Sequence, residues 1–310
     1  MSDRSHQRQL DEAAAALVGI ELHRDEPLAR RTSFGIGGPA DLLVVARAED
    51  QAVQVLRVAE QQRLPVTVLG GGSNVLVGDG GIRGITLTLA GGLGSLEVRD
   101  DGLRIEVGAA CTFARLTHAA LDLGWSPAAG WLGTPGQVGG ALVMNAGSQH
   151  GELGDVVVEV RLATSKGLER RARSACGFGY RTSGFPLGSV LTSALLQCDS
   201  HKSNEAEVLN AMAHELLTRR HASQPKLRSA GSMFKNPPGD FAGRLIEAAG
   251  LKGYAVGGAQ VSELHANFII NTGGASARDV VAVAEHARSV VKAQTGIELA
   301  WEVRRVGEQP

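Results

Sequence analysis

The stretch VTVLGGGSNVLV, residues 66–77, places three glycines, a serine and an asparagine between two short apolar runs. A loop of this kind either forms an ordinary structural turn or leaves its backbone N–H groups open to a charged ligand. Successive amides around a turn form a concave anion site, to which Ser73 and Asn74 would add donors. The loop alone is compatible with both interpretations, so the sequence around it has to decide.

The residues before the loop predict a β-α-β unit. An apolar run at 42–45 predicts a strand, and apolar residues at helical spacing predict a helix over 50–63. Pro65 ends that helix, and 66–69 predicts a second strand. The glycine loop therefore follows the carboxyl end of a strand.

The remaining pattern predicts an α+β fold, with a larger N-terminal half and a smaller C-terminal domain. The first residues form a polar N-terminal arm, and a boundary is expected at 199–204. Predicted strands cover 82–89, a hairpin at 96–107, two strands flanking 165–167, and 190–196. Predicted helices cover 113–123, 205–220 and 277–294, the last with Ser276 as N-cap and Gly296 after its end. Alternating residues over 297–307 predict a final strand.

Composition excludes several classes of protein. Of 310 residues, 31 are Lys or Arg and 32 are Asp or Glu, so no basic field favours nucleic acid or a membrane surface. The polar start and the absence of a long apolar run predict neither a secretory signal nor membrane insertion. The widely spaced Cys111, Cys176 and Cys198 predict free thiols in a reducing cytoplasm. The histidines show no paired metal-binding spacing, so no metal is predicted.

Glycine-rich clusters at 34–41, 69–74, 130–147 and 177–185 are the distinctive feature of the chain. None matches the phosphate loop of nucleotide hydrolases, and none has the GxGxxG form of a Rossmann site. The segment GTPGQVGGALVMNAG, 133–147, is too long and too apolar for a hairpin. Uncharged small residues of this kind suit a backbone wall against a flat, largely apolar ring system.

Seven strings, spread over nearly the whole length, carry a family resemblance. They are RTSFGIGGPAD, VLGGGSNVLV, GTPGQVGGALVMNAG, FGYRTSGF, AGSMFKNP, AGRLIEAAGLKGYAVGGAQVSELHANFIIN and EVRRVG. In these strings the chain resembles the UDP-N-acetylenolpyruvoylglucosamine reductases, flavoenzymes of peptidoglycan precursor synthesis. Under this resemblance LGGGSNVL is the loop that cradles the diphosphate of FAD.

The resemblance implies a fold of the vanillyl-alcohol-oxidase type. It predicts FAD-binding subdomains at 1–90 and 91–200, and an α/β substrate-binding domain at 201–310 whose last strand returns to the flavin. It implies noncovalent FAD, because Gly-Gly-Ser-Asn stands where related oxidases attach flavin through histidine. It also implies NADPH as co-substrate, a UDP-sugar as substrate, and a cytoplasmic monomer.

Three residues are expected to carry the chemistry. Adding hydride to the methylene carbon of an enolpyruvyl ether builds negative charge on the neighbouring carbon and its carboxylate, so a cation and a proton donor are needed. Arg181 would be the cation, Ser232 the proton donor, and Glu302 would hold substrate or assist the proton transfer. The alternatives are a surface arginine, a turn or cap serine, and an exposed partner of Arg304.

The resemblance also implies contact residues. Those for the cofactor are Gly70, Gly71, Gly72, Ser73, Asn74, Val75, Leu76, Gly133, Thr134, Gly136, Gly139, Gly140, Ala141, Asn145, Ala146 and Gly147. Those for the substrate are Tyr180, Lys235, Asn236, Gln260 and His265. For His265 alone, a structural role is the simpler explanation.

The chain departs from the family pattern at two points. The segment after GYRTSGF is short, which indicates the shorter subtype without an extra tyrosine-bearing loop. Ser223 stands before Gln224-Pro225 where members often have a diphosphate-binding lysine, and Arg219, Arg220 or His221 are the candidate substitutes.

Two other functions remain open on sequence grounds. One is a flavin oxidase or dehydrogenase of the same fold, which needs a base where the reductase needs a proton donor. The other is a flavin-binding protein without turnover. Reoxidation of the reduced protein by air, and NADPH consumption with an enolpyruvyl sugar, separate the three.

Overall fold

The computed structural model describes residues 3–148, 150–198 and 206–309. Seven α-helices lie in these residues: α1 Asp3–Ala16, α2 Glu49–Gln62, α3 Phe113–Asp122, α4 Val138–Val143, α5 Ala206–Ser223, α6 Ala242–Ala248 and α7 Ala277–Thr295. The strands in the first half are β1 Glu21–Pro27, β2 Pro39–Ala46, β3 Val66–Val68, β4 Val75–Val77, β5 Ile82–Leu89, β6 Leu96–Arg99, β7 Arg104–Gly108, β8 Gly147–Ser148 and β9 Gly151–Glu152. The remaining strands are β10 Val157–Thr164, β11 Gly167–Ala172, β12 Val190–Gln197, β13 Ala255–Val256, β14 Ala259–Val261, β15 Ile269–Asn271 and β16 Arg304–Val306.

The described residues form two compact units, each built from separate stretches of chain. The first unit comprises Met1–Arg24, Leu42–Gly71 and Gly84–Arg219, and the second comprises Asp25–Asp41, Gly72–Arg83 and Arg220–Pro310. Each unit has its own hydrophobic core. The first core centres on residues such as Trp125 and Trp131, and the second on residues such as Phe34 and Phe234.

The first unit is organised by a five-stranded antiparallel sheet in the order β11-β10-β12-β7-β6. A second sheet has the order β1-β2-β5-β3, so β5 lies between the two strands of the predicted β-α-β unit. Strand β3 pairs with β5 in parallel and ends just before the glycine loop. Helix α2 buries one face and ends at Arg63 in a left-handed conformation.

The second unit holds the three-stranded sheet β13-β14-β15 and the long helix α7. Ser276 accepts the N–H of Asp279, and the Asp279 side chain accepts the N–H of Ser276, which completes a capping box. Gly296 ends the helix at φ 75°. The predicted cap and end of this helix are confirmed.

The structure adds a helix at the N-terminal end and shortens the strand predicted at the C-terminal end. The N-terminal arm forms helix α1, because Leu10 and Ala13 recur at helical spacing and are buried in the first core. The predicted strand over 297–307 is a strand only at Arg304–Val306, which pairs in parallel with Val75–Val77. The predicted faces agree with the structure at Leu299 and Val303, which are buried, and at Glu298 and Ala300, which are exposed. Trp301 and Glu302, predicted on opposite faces, are both half-buried.

The predicted boundary at 199–204, and the predicted start of a helix at 205, lie outside the described residues. Cys111, Cys176 and Cys198 are buried free thiols, as predicted. Across the described residues, no helix combines the length and apolar character that crossing a membrane requires.

Candidate active site

The glycine loop leaves a row of backbone donors unused. Among the described residues, the N–H groups of Gly70, Gly71 and Gly72 donate no hydrogen bond to the protein, whereas the N–H of Leu69 donates to Leu87. Gly70 and Gly71 are exposed. Gly72 has a φ of 64°, and a Cβ there would collide with the carbonyl oxygen of Arg31. A loop with a left-handed glycine and unused amides is the arrangement that binds anions.

The second glycine-rich segment packs against this loop within the first unit. A Cβ on Gly71 would lie 2.9 Å from the Cα of Gly136, and a Cβ on Gly70 would lie 3.3 Å from Oε1 of Gln137. Gly71 is therefore required by a contact between two backbones, which the sequence did not reveal. The segment then enters α4, where a Cβ on the exposed Gly140 would meet nothing within 4 Å.

These residues fit two different parts of a flavin dinucleotide. The unused amides of Gly70–Gly72 fit its diphosphate, which is anionic and accepts hydrogen bonds. The open face of Gly140 is uncharged backbone and fits an apolar ring. Asn145 is buried, and its side chain is engaged with Glu152 and with the backbone of Gly154 and Gly179.

Arg181 lies in a tight hairpin of the first unit. Gly179 and Thr182 exchange both backbone hydrogen bonds, at 3.1 Å each, so Tyr180 and Arg181 form a two-residue turn. Arg181 has a φ of 53°, a conformation that side chains larger than glycine disfavour. Its Nη2 donates to the carbonyl of Gly147 at 2.9 Å, and its guanidinium lies 5.0 Å from the Tyr180 ring centroid.

Glu152 is a neighbour of Arg181 that the sequence did not single out. Its Oε1 lies 3.8 Å from Nη1 of Arg181, and its Oε2 accepts Nδ2 of Asn145 at 2.6 Å. Both side chains of the ion pair are half-buried. No spacing rule links the two residues, because they lie on different short hairpins, so a motif search passes over Glu152.

The second unit brings together Ser232, Glu302 and part of the glycine loop. The N–H of Glu302 donates to the carbonyl of Met233 at 2.9 Å, one residue after Ser232. Nδ2 of Asn74 donates to the carbonyl of Glu302 at 3.3 Å, and the carbonyl of Asn74 accepts the N–H of Arg304. The segments that contain Asn74, Ser232 and Glu302 thus meet through hydrogen bonds to backbone groups. The side chain of Asn74 makes one of these bonds.

The segment that carries Ser232 is held by Asn267, which the sequence also did not single out. Asn267 is buried, accepts the N–H of Phe234 at 3.0 Å, and donates to the carbonyl of Phe234 at 2.8 Å. The N–H of Asn267 donates to Nδ1 of His265 at 3.2 Å. His265 therefore presents Nδ1 as an acceptor, and burial lowers its pKa.

The other predicted substrate residues of the second unit have partners of their own. Asn236 accepts the N–H of Ala242 at the start of α6, and Gln260 donates to the carbonyl of Gly253. The N–H of Lys235 donates to the carbonyl of Ala300. Arg181 and Tyr180 belong to the first unit, whereas Ser232 and Glu302 belong to the second. Each pair is therefore described within its own unit.

Two family models match the chain. Residues 40–173 match the FAD binding domain, and residues 224–306 match the C-terminal domain of UDP-N-acetylenolpyruvoylglucosamine reductase. The first match contains the glycine loop and the second contains Ser232 and Glu302.

Similar proteins cover nearly the whole chain. A UDP-N-acetylenolpyruvoylglucosamine reductase of Anaeromyxobacter is 46% identical over 93% of this chain and 89% of the relative. A reductase of the same name from Symbiobacterium thermophilum is 42% identical over 93% of each chain. The crystal structure of the enzyme from Thermus caldophilus aligns with a TM-score of 0.77 and 35% identity, over 92% of this chain and 98% of that one.

The α+β fold, the glycine loop and the matched domain define this chain as an FAD-containing oxidoreductase. The chain belongs to the UDP-N-acetylenolpyruvoylglucosamine reductase family. The predicted fold class and the resemblance are both confirmed.

Proposed function

We propose that this protein reduces UDP-N-acetylglucosamine enolpyruvate to UDP-N-acetylmuramate in peptidoglycan precursor synthesis, with NADPH as reductant. Noncovalent FAD, bound at Gly70–Gly72 and along 133–147, would supply the hydride when present. The observation that carries the proposal is the 46% identity to an enzyme of this name over 93% of the chain. Arg181, Ser232 and Glu302 lie in three of the strings that carry the family resemblance. We further propose that the protein acts in the cytoplasm as a monomer.

The reaction adds hydride to the methylene carbon of the enolpyruvyl group and a proton to the carbon that bears the carboxylate, while NADPH becomes NADP⁺. Negative charge develops on that second carbon and on its carboxylate. Arg181 binds the carboxylate, because a planar guanidinium matches it with two hydrogen bonds and stays charged. The strained backbone of Arg181 supports this role, since strain of this kind concentrates at functional sites.

Ser232 donates the proton to the carbon next to the carboxylate. A hydroxyl is a weak acid in water, so the donation depends on a group that stabilises the developing charge. Glu302 assists this transfer, which is consistent with the backbone bond between Glu302 and Met233. Lys235, Asn236, Gln260, His265 and Tyr180 bind the UDP-sugar. The protein is of the shorter subtype, without the extra tyrosine-bearing loop. Ser223 stands where many members have a diphosphate-binding lysine, and Arg219, Arg220 or His221 binds the diphosphate in its place.

Two measurements test the proposal. The absorbance spectrum of the purified protein should show flavin, and denaturation should release it into the supernatant if the attachment is noncovalent. NADPH oxidation should then require UDP-N-acetylglucosamine enolpyruvate, with one UDP-N-acetylmuramate formed per NADPH. Rapid reoxidation of the reduced protein by air without substrate would instead indicate an oxidase, and flavin binding without NADPH consumption would indicate a protein without turnover.

A further inference from the structure

The side chain of Arg181 is held in one place by contacts from outside its own hairpin. Its Nη2 donates to the carbonyl of Gly147, and its Nη1 lies 3.8 Å from the carboxylate of Glu152. Strand β8, which starts at Gly147, pairs with β9, which ends at Glu152. One small hairpin therefore supplies two of the groups that contact the guanidinium, in addition to the Tyr180 ring.

The carboxylate of Glu152 is itself fixed before it meets Arg181. It accepts Nδ2 of Asn145 at 2.6 Å and the backbone N–H of Asp155 in a capping box. Asn145 also donates to the carbonyl of Gly179, at the base of the hairpin that carries Arg181. A carboxylate held by two donors cannot follow a moving cation, so it defines where the cation stays.

Backbone strain marks the same cluster. Asn145 and Arg181 both have positive φ values, 44° and 53°, and each is in contact with Glu152. This conformation is common for asparagine but uncommon for arginine, so the strain lies at Arg181, the residue whose guanidinium contacts Glu152.

We propose that Glu152 is a positioning residue, which orients the Arg181 guanidinium for the substrate carboxylate. The inference rests on the proposed function, in which Arg181 binds that carboxylate. Glu152 also offsets part of the positive charge of Arg181, because the two groups are half-buried and screened only in part. Removing the negative charge therefore loosens the guanidinium without weakening its attraction for an anion.

This argument predicts a split between the kinetic constants of Glu152→Gln. Glutamine keeps a carbonyl oxygen that can accept Nδ2 of Asn145, but it has no charge for Arg181. We expect kcat to fall about tenfold, since small misplacements of a binding group cost about that much or more. KM for the enolpyruvyl substrate should stay constant or fall, and flavin content and flavin reduction by NADPH should not change.

The matched control is Glu169→Gln, because Glu169 lies 3.8 Å from Arg171 in another ion pair of the same unit. This control should retain the kinetic constants of the unsubstituted protein. Glu152→Asp keeps the charge with a shorter side chain and should recover part of the lost kcat. If Glu152→Gln does not fold, the same criteria apply to Glu152→Asp, with a smaller expected loss.

A double-mutant cycle and a crystal structure decide the proposal. In an Arg181→Gln background, Glu152→Gln should lower kcat less than about twofold, because the group it orients is gone. In the structure of the Glu152→Gln holoenzyme, the guanidinium should leave the carbonyl of Gly147. A guanidinium that stays there, or an equal effect of Glu152→Gln in both backgrounds, overturns the proposal. Normal turnover by Arg181→Gln alone would instead contradict the proposed function, while the crystal structure would still decide whether Glu152 holds Arg181.

Discussion

Single glycines in this protein serve two different purposes. Gly71 is required by the close approach of Gly136, whereas Gly140 faces open space. Sequence identifies both as members of glycine-rich motifs but does not separate them, because the contact partner of Gly71 lies in another motif.

Alanine substitutions at these two positions are expected to differ. Gly71→Ala places a Cβ 2.9 Å from backbone that cannot rotate away, so it should destabilise the protein without flavin by about 1–3 kcal/mol. Gly140→Ala lies in a helix with room for a methyl group, so the same protein should keep its stability or gain up to about 1 kcal/mol. Denaturant unfolding of both flavin-free variants measures this difference.

The flavin content of the Gly71→Ala and Gly140→Ala variants is the second quantity to compare. Both variants should purify with less FAD, the first because the loop shifts and the second because the methyl group occupies the open face. A Gly140→Ala variant with full flavin content would show that the cofactor does not approach this face. Full flavin content in Gly71→Ala would contradict the cradle at Gly70–Gly72.

His265 is expected to make the folded state sensitive to acid. Burial lowers its pKa below the unfolded value of about 6.5, so the folded protein binds fewer protons than the unfolded chain as the pH falls. The free energy of unfolding should therefore decrease as the pH falls below about 6.5. The decrease caused by His265 is complete once the pH lies below its lowered pKa in the folded state. Protonation at Nδ1 would also remove the acceptor for the N–H of Asn267.

His265→Asn removes the titration while it keeps an oxygen close to the position of Nδ1. The free energy of unfolding of this variant should depend less on pH between about 7 and about 5 than that of the unsubstituted protein. His118→Asn, at an exposed position of α3, is the control. Parallel pH dependences in the unsubstituted and His265→Asn proteins would exclude His265 as the titrating group.

Whole elements were predictable where local pattern and burial agree. The hairpin of β6 and β7, helix α3 and helix α7 lie where the sequence indicates, because their caps and apolar faces are local signals. The segment 297–303 alternates in burial like a strand. Its backbone makes separate hydrogen bonds to residues such as Met233 and Lys235, and these do not form a continuous strand pairing. Alternating apolar and polar residues indicate which face of a segment is buried, but a strand also needs a neighbouring strand to pair with along its length.

The segment that contains Ser232 allows the chemistry to be tested separately from the fold. Its backbone is held by Asn267 and by the 300–303 region, so Ser232→Ala should not disturb it. Flavin reduction by NADPH should remain near normal, because a proton donor acts only on the enolpyruvyl substrate. Reoxidation by that substrate should slow by about 10² or more. Stopped-flow absorbance measures the two half-reactions, and equal slowing of both would point to displaced flavin.

The division of the whole molecule was less predictable than its elements. The two compact units are each assembled from separate stretches, and the chain passes between them within the glycine loop, at Gly71 and Gly72. The three contiguous domains at 1–90, 91–200 and 201–310 stay a prediction. Composition marks linkers between contiguous domains but gives no signal where a chain alternates between units.

The last prediction joins the two units through one reaction. Arg181 belongs to the first unit and Glu302 to the second, and the proposed chemistry requires both to act on the same developing charge. Arg181→Lys keeps the charge but loses the planar fork, so turnover should fall about 10²-fold. Glu302→Gln keeps the shape but loses the charge, so turnover should fall about tenfold while FAD content stays unchanged.

The double variant distinguishes a shared transition state from two independent effects. If both residues stabilise one charge, the loss of either makes the other less useful, so the double variant should lose less than the product of the single losses. Steady-state kinetics of the four proteins measure this coupling. Losses that simply multiply would mean that Glu302 contributes through its backbone bonds to Met233 and Asn74, which the glutamine variant retains, and that its carboxylate takes no part in the reaction.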